Sequence, residues 1–243
     1  MQTIIIVFAL LTFCSTLCGG LFALKFRHQL NSFMAFAAGV ILGVVAFGIF
    51  PEIIEQVKAF NFNPVEVMAA LVVGFLLFHI LEKTILIHHA HEEDYAEHKH
   101  PKVGVISALA LVGHSFMDGL SIGLGFQINT VVGLMIAVAV ISHGFTDGIN
   151  TITLMLNHKN TPSRAKFFLV FDALAPSLGI VTAFFFTFSP HFLILYLGFF
   201  AGFLLYIGAS DILPEAHSQR SSYKLIGLTI FGTLFIFIIT RFV

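Results

Sequence analysis

The sequence predicts an all-α membrane protein, a single transmembrane domain (1–243) of eight helices, and three observations carry that prediction. Hydrophobic residues make up 58% of the chain and charged ones only 10%, whereas a soluble domain carries about 25% charged residues. Apolar runs of about 20 residues, long enough to cross ~30 Å of hydrocarbon, recur from end to end. The cations between those runs also alternate in number, few on one side of the predicted bilayer and many on the other.

The first run, 3–24, lacks a positive leading region and continues to Leu24, so it reads as a span rather than a signal peptide. Cys14 and Cys18 lie one turn apart on it and read as buried small hydrophobes. The second run, 32–51, follows "KFRHQLN" and stops at Pro51; the third, 65–87, follows "NFNP". The fourth, 103–126, follows "HEEDYAEHKHPK", and the fifth, 131–156, follows "QINT". The sixth, 166–188, follows "NHKNTPSR" and contains Pro176, which frees a backbone carbonyl. The seventh, 191–213, follows "SPH", and the eighth, 224–242, follows "PEAHSQRSS". With both termini outside, the inner connections hold Lys25, Arg27, Lys83, Lys99, Lys102, Lys159, Arg164, Lys166, Arg220 and Lys224. The outer side holds only Lys58 and Arg241. That is a strong positive-inside bias.

The chain also repeats itself. "FAAGVILGVVAFGIFPE" (Phe36 to Glu52) and "FFAGFLLYIGASDILPE" (Phe199 to Glu215) share Phe, Ala, Gly, Leu, Ala, Pro and Glu in register. Eight alternating spans place these stretches in opposite directions. The expected architecture is therefore an inverted repeat, helices 1–3 against helices 6–8, around central helices 4 and 5. Such repeats are typical of secondary transporters, with the substrate site near the midplane.

Within the fourth and fifth runs, "HSFMDGLSIG" (114–123) and "HGFTDGIN" (143–150) place ionisable groups among apolar residues. On a helix, i and i+4 share a face, about 6 Å apart along the axis. His114 thus sits over Asp118 and His143 over Asp147, each pair half way through its span. Antiparallel helices bring Asp118 level with His143 and His114 level with Asp147. Carboxylates near the bilayer centre cost several kcal/mol unless compensated. Mutual His–Asp hydrogen bonds or protonated aspartates in a structural core are one answer. A divalent cation is the other: its charge matches two carboxylates, and two imidazoles complete a shell suited to Zn2+ and open to iron, manganese or cadmium. Gly119, Gly123, Gly125, Gly144 and Gly148 flank the pairs and allow close helix approach.

Other polar residues fall near this path. Asp172 lies on the sixth run, and Asp211 lies toward the inner end of the seventh, as an exit ligand or a wetted terminus. Glu52 and Glu215 read as caps or loop anchors. The inner loop at 88–102 carries His88, His89, His91, His98 and His100 among acids and reads as a tract for loose zinc capture. His79, His158, His191 and His217 receive no role.

At these residues the chain resembles the ZIP (Zrt/Irt-like protein) family of metal-ion transporters. "HSFMDGLSIG" is similar to that family's helix-4 signature, commonly His-Asn-x-x-(Asp or Glu)-Gly, and "HGFTDGIN" to its helix-5 signature. "AAGVILG…FPEIIE" and "DILPEAH" are similar to its helices 2 and 7. The resemblance implies eight helices, both termini outside, a cytoplasmic histidine-rich loop between helices 3 and 4, and a primary transport site at His114, Asp118, His143 and Asp147. It also matches Asp211 to an acid associated with the inner exit. Ser115 replaces the family's asparagine and is an auxiliary candidate with Asp172. Gly144 and Ala175 stand where some members carry further ligands, which predicts a single well-formed site. Met117 and Thr146 replace prolines of the signatures.

The function so implied is uptake of a divalent metal, zinc first, toward the cytoplasm by alternating access. The metal is transported substrate rather than a prosthetic group, and the protein is not an enzyme. A cation-diffusion-type exporter is the alternative, and an intramembrane zinc hydrolase a weaker one. The expected partners are the metal ion and the lipid bilayer, with a homodimer compatible and no nucleic acid. The cell (inner) membrane is the expected location.

Overall fold

The computed structural model describes residues 2–25, 30–90, 101–218 and 222–241. Among them every regular element is helical: α1 (Gln2–Lys25), α2 (Leu30–Val44), a π-helical segment (Val45–Ile49), α3 (Phe50–Phe60), α4 (Pro64–Ala90), α5 (Pro101–Ile128), α6 (Thr130–Asn157), α7 (Pro162–Ala183), α8 (Pro190–Leu205), a second π-helical segment (Tyr206–Ile212), α9 (Leu213–His217) and α10 (Tyr223–Ile239). Seven continuous helical stretches are long and apolar enough to cross a bilayer, and α10 is a shorter apolar helix of 17 residues. These are the eight expected spans.

Three spans differ from expectation by four residues or more: the sixth lies at Pro162–Ala183 instead of 166–188, begun by the Thr161 cap and Pro162, and two others run past a proline. The second span does not stop at Pro51 but runs on to Phe60, and the seventh passes Pro214 to His217. A proline inside a helix loses one hydrogen bond and clashes with the carbonyl four residues before it. Here the turn before each proline widens instead: the Phe50 N–H reaches the Val45 carbonyl and the Leu213 N–H reaches Gly208, both five residues back. Pro51 and Pro214 then sit at the start of fresh helical segments, where no N–H donor is needed. Both π segments occupy the same place in the repeat.

Packing obeys the repeat as well. Added side-chain carbons at Gly39 and Gly202 would collide with the backbone carbonyls of Thr229 on α10 and Leu71 on α4. The same operation at Gly148 and Gly119 meets the carbonyls of Thr16 on α1 and Pro176 on α7. Residue numbers rise together in every one of these pairs. Ser15 Oγ donates to Ile141 O at 2.6 Å, with Gly19 against Phe145. Thr229 Oγ1 donates to Ala35 O and Thr233 Oγ1 to Gly39 O, each at 3.0 Å. So α1 runs parallel to α6, α5 to α7, α2 to α10 and α4 to α8. By contrast α2–α3 and α6 are antiparallel, with Phe33 on Phe145 at one end and Glu52 on Asn129 at the other.

Two bundles result, α1/α5/α6/α7 and α2–α4/α8–α10. Between them lies a core that includes Ile41, Ile49, Ile122, Ile136, Phe200 and Phe203, all buried. Two side-chain hydrogen bonds cross it: Asn129 Nδ2 donates to Glu52 Oε1 at 2.7 Å, and Ser121 Oγ and Tyr196 OH lie 2.6 Å apart. Large apolar side chains of α1, α4, α7 and α10, such as Ile6, Val73, Phe167 and Phe231, point outward. Such a surface suits hydrocarbon rather than water. Cys14 and Cys18 are exposed on this face, which corrects their expected burial; an apolar helix surface reads alike whether it meets lipid or protein.

Because lipid tails are as apolar as leucine, close van der Waals approach must hold these bundles together. Gly39→Val, which drives a side chain into the Thr229 carbonyl, is expected to cost about 1–3 kcal/mol by overpacking. Gly227→Ala, where an added carbon meets nothing within 4 Å, is expected to be neutral or mildly stabilising. Thermal unfolding of the two detergent-purified variants against wild type checks the pair.

Candidate metal centre

One non-helical residue, Asn129, turns α5 back into α6. Its side-chain oxygen accepts from Val132 N at 2.9 Å and caps α6. This tight hairpin puts the two His–Asp pairs opposite one another. Asp118 Oδ2 lies 3.3 Å from His114 Nε2 on its own helix and 3.0 Å from His143 Nε2 on the other. His143 Nε2 lies 3.8 Å from Asp147 Oδ2. One ligand atom from each of the four residues falls within 4.8 Å of every other. The expected meeting of Asp118 with His143 is present, and all four groups share one cluster.

The cluster is dry. His143 and Asp118 are fully buried, Asp147 nearly so, and the His114 side chain keeps 15% exposure. The His114 ring packs edge-on against Phe78 of α4 and Phe203 of α8, with centroids 6.1 and 5.0 Å away. All four polar groups thus belong to one bundle, and the other supplies an apolar wall.

Hydrogen bonding defines what the site lacks. His143 Nδ1 lies 2.9 Å from the Ala139 carbonyl. A carbonyl only accepts, so Nδ1 carries a proton, and Nε2 is the ring atom turned toward Asp118, as an N–H donor in the doubly protonated ring and as a metal-ligating lone pair in the neutral one. Histidine ligands are commonly oriented in this way. The 3.0 Å approach of Nε2 to Asp118 Oδ2 needs positive charge between the atoms, supplied by a proton on Nε2 or by a bound cation. Asp118 Oδ1 has no hydrogen-bond partner among the described residues, and an unmet buried acceptor is costly. A tetrahedral ion with bonds of about 2.0–2.2 Å places its ligand atoms roughly 3.3–3.6 Å apart. The separations of 3.0, 3.3 and 3.8 Å bracket that range. Two nitrogens and two carboxylates arranged so can hold a divalent cation.

The auxiliary residues divide. Ser115 Oγ donates to Asp172 Oδ1 at 2.6 Å, and Thr151 Oγ1 donates to Asp172 Oδ2 at 2.7 Å. Asp172 is wholly buried, outside the four-membered cluster. Thr151 was not singled out by sequence; its one signal is its spacing, one turn beyond Asp147. Asp211 is half-buried in the Tyr206–Ile212 segment and within electrostatic reach of Asp147. Glu52 anchors a connection as expected, accepting from Asn129 and, at 2.6 Å, from Gln56 Nε2. Helix α4 continues through His88 and His89 to Ala90, and α5 begins at Pro101, so helix occupies both ends of the expected loop. His91, His98 and His100 lie outside the described residues.

A protein-family model described as ZIP Zinc transporter matches residues 88–240, which takes in α5 through α10 and hence the whole four-residue cluster. No curated protein matches the chain. If the cluster is what holds metal, Asp118→Ala and His143→Ala should each remove Zn2+ binding seen by titration calorimetry on the purified protein, while Ser142→Ala, one residue away, should retain it.

Proposed function

Because the chain belongs to the ZIP zinc transporter family, we propose that it takes up Zn2+ and delivers it toward the cytoplasm by alternating access at His114, Asp118, His143 and Asp147. Divalent-metal transport through a membrane is the family's activity, and its members are transporters, not enzymes. The hydrolase reading is thereby set aside. The observation that carries the choice of site is the convergence of four buried candidate ligand atoms from α5 and α6 within 4.8 Å.

The physical logic is charge matching. A hydrated divalent ion cannot enter hydrocarbon unaided, and two buried carboxylates cannot stay there uncompensated. Each solves the other's problem. Asp118 and Asp147 neutralise the ion, while His114 and His143 replace water as neutral donors. The mixed nitrogen and oxygen set suits Zn2+ and also admits Fe2+, Mn2+ or Cd2+, so geometry decides among them.

Movement is then a matter of which face of the site is open. All four ligands ride on the α1/α5/α6/α7 bundle. The wall opposite them is largely apolar, as where Phe78 and Phe203 meet His114. An apolar wall lets one bundle rock or slide against the other without breaking many hydrogen bonds. Asp211, half-buried near the inner end of its span, serves as a departure point for the ion. The histidine-rich stretch after α4 serves as a cytoplasmic acceptor. The excess of Lys and Arg on alternate connections supports placing both termini outside.

Uptake of radioactive zinc into proteoliposomes tests the reading. Asp118→Ala and His143→Ala are expected to abolish accumulation at unchanged protein yield, and uptake at wild-type rates would refute the site. Removal of residues 88–100 is expected to change apparent affinity while transport continues. Complete loss of flux on that deletion would show that the stretch belongs to the transport path itself.

A further inference from the structure

Asp172 is the one residue of α7 that is hydrogen-bonded through its side chain to both ligand-bearing helices. Each of its carboxylate oxygens accepts a short bond from a hydroxyl, Ser115 on α5 at 2.6 Å and Thr151 on α6 at 2.7 Å. These are not incidental positions. Ser115 follows His114 directly, and Thr151 lies one helical turn beyond Asp147 on the same face. The helix that carries Asp172 is itself packed backbone to backbone on α5, with the Pro176 carbonyl against Gly119 and the Phe116 carbonyl against Gly179. A buried carboxylate on a closely packed helix thus joins both helices that present the candidate ligands.

We propose that Asp172 is a positioning residue that determines which divalent cations the neighbouring site prefers, by clamping Ser115 and Thr151 and so holding the two His–Asp pairs at one spacing. This rests on the reading of His114, Asp118, His143 and Asp147 as the metal site. It gives Asp172 and Ser115 a part different from the auxiliary ligands expected of them. Each oxygen accepts one hydroxyl proton at close to ideal length, and Asp172 stands outside the group of four candidate ligand atoms. Its effect is geometric. His/Asp sites discriminate among first-row and heavier divalent ions by geometry rather than donor type, and the groups that orient ligands typically change metal affinity by about 10–100-fold when removed.

The test compares Zn2+ with Cd2+, the larger ion, in proteoliposome uptake, because the ratio of their half-saturation concentrations does not depend on how much protein folds. Asp172→Ala is expected to shift that ratio toward Cd2+ by roughly tenfold. Asp172→Asn is expected to keep the wild-type ratio, since an amide can accept from one hydroxyl and donate to the other. The double variant Ser115→Ala/Thr151→Val removes the clamp while leaving the carboxylate, and it should reproduce the shift even if Asp172→Ala fails to fold. Adding Asp172→Ala to that pair should shift the ratio no further. An unchanged ratio in the clamp-less variants would overturn the proposal, leaving Asp172 a purely structural residue. Loss of preference in Asp172→Asn equal to that in the alanine variant would also overturn it, by showing that the carboxylate acts on the ion directly. Failure of the metal-site reading looks different: Asp118→Ala would then transport both ions like wild type.

Discussion

A carboxylate deep inside a hydrocarbon-facing bundle is the constraint from which the rest of this architecture follows. Asp118 is buried to 1% exposure, one of its oxygens is without a described partner, and the other lies 3.0 Å from His143 Nε2. The Phe78 and Phe203 rings against His114 offer it no polar partner. A proton on His143 offsets part of the buried charge, and a divalent cation among Asp118, Asp147 and the two imidazoles would offset the rest. The one-residue turn at Asn129, the glycines beside the pairs and the Nδ1 anchor on Ala139 all serve to bring ionisable groups together in a buried place. Ordinary folding does the reverse.

The repeat supplies the frame for that arrangement. Four parallel helix pairs, each seated by a glycine against a neighbouring carbonyl, make two compact units with the four candidate ligands confined to one of them. Parallel neighbours in the bundle come from distant parts of the chain: α1 with α6, α2 with α10. Neither unit is therefore complete until most of the chain is in the membrane. The matched π segments before Pro51 and Pro214 show how far the symmetry extends, down to a single widened turn.

Much of this was legible from residue order because it depends on length and period. Spans show as apolar runs, the repeat as shared letters, and the ligand pairs as His and Asp four residues apart. What could not be read depends on which helix faces which. The burial of Cys14 and Cys18 was misjudged because lipid and protein select the same side chains. The ends of two spans were misplaced because a proline stops a helix unless the preceding turn widens, and no letter announces that widening. The grip of Ser115 and Thr151 on Asp172 joins three helices with no common spacing, so only the fold could bring it to light.

Asn129 has a consequence of its own. Its oxygen is committed to the first turn of α6, and its amide to Glu52 in the opposite unit. Were the ligand-bearing hairpin to travel along the membrane normal, the second bond would break and the first would not. The tip of the hairpin would stay wound while losing its tether. Such a displacement would forfeit at that point little more than a single polar contact, on the order of 1–3 kcal/mol given the charge on the glutamate, and the same bond would re-form as a mechanical stop on the return stroke.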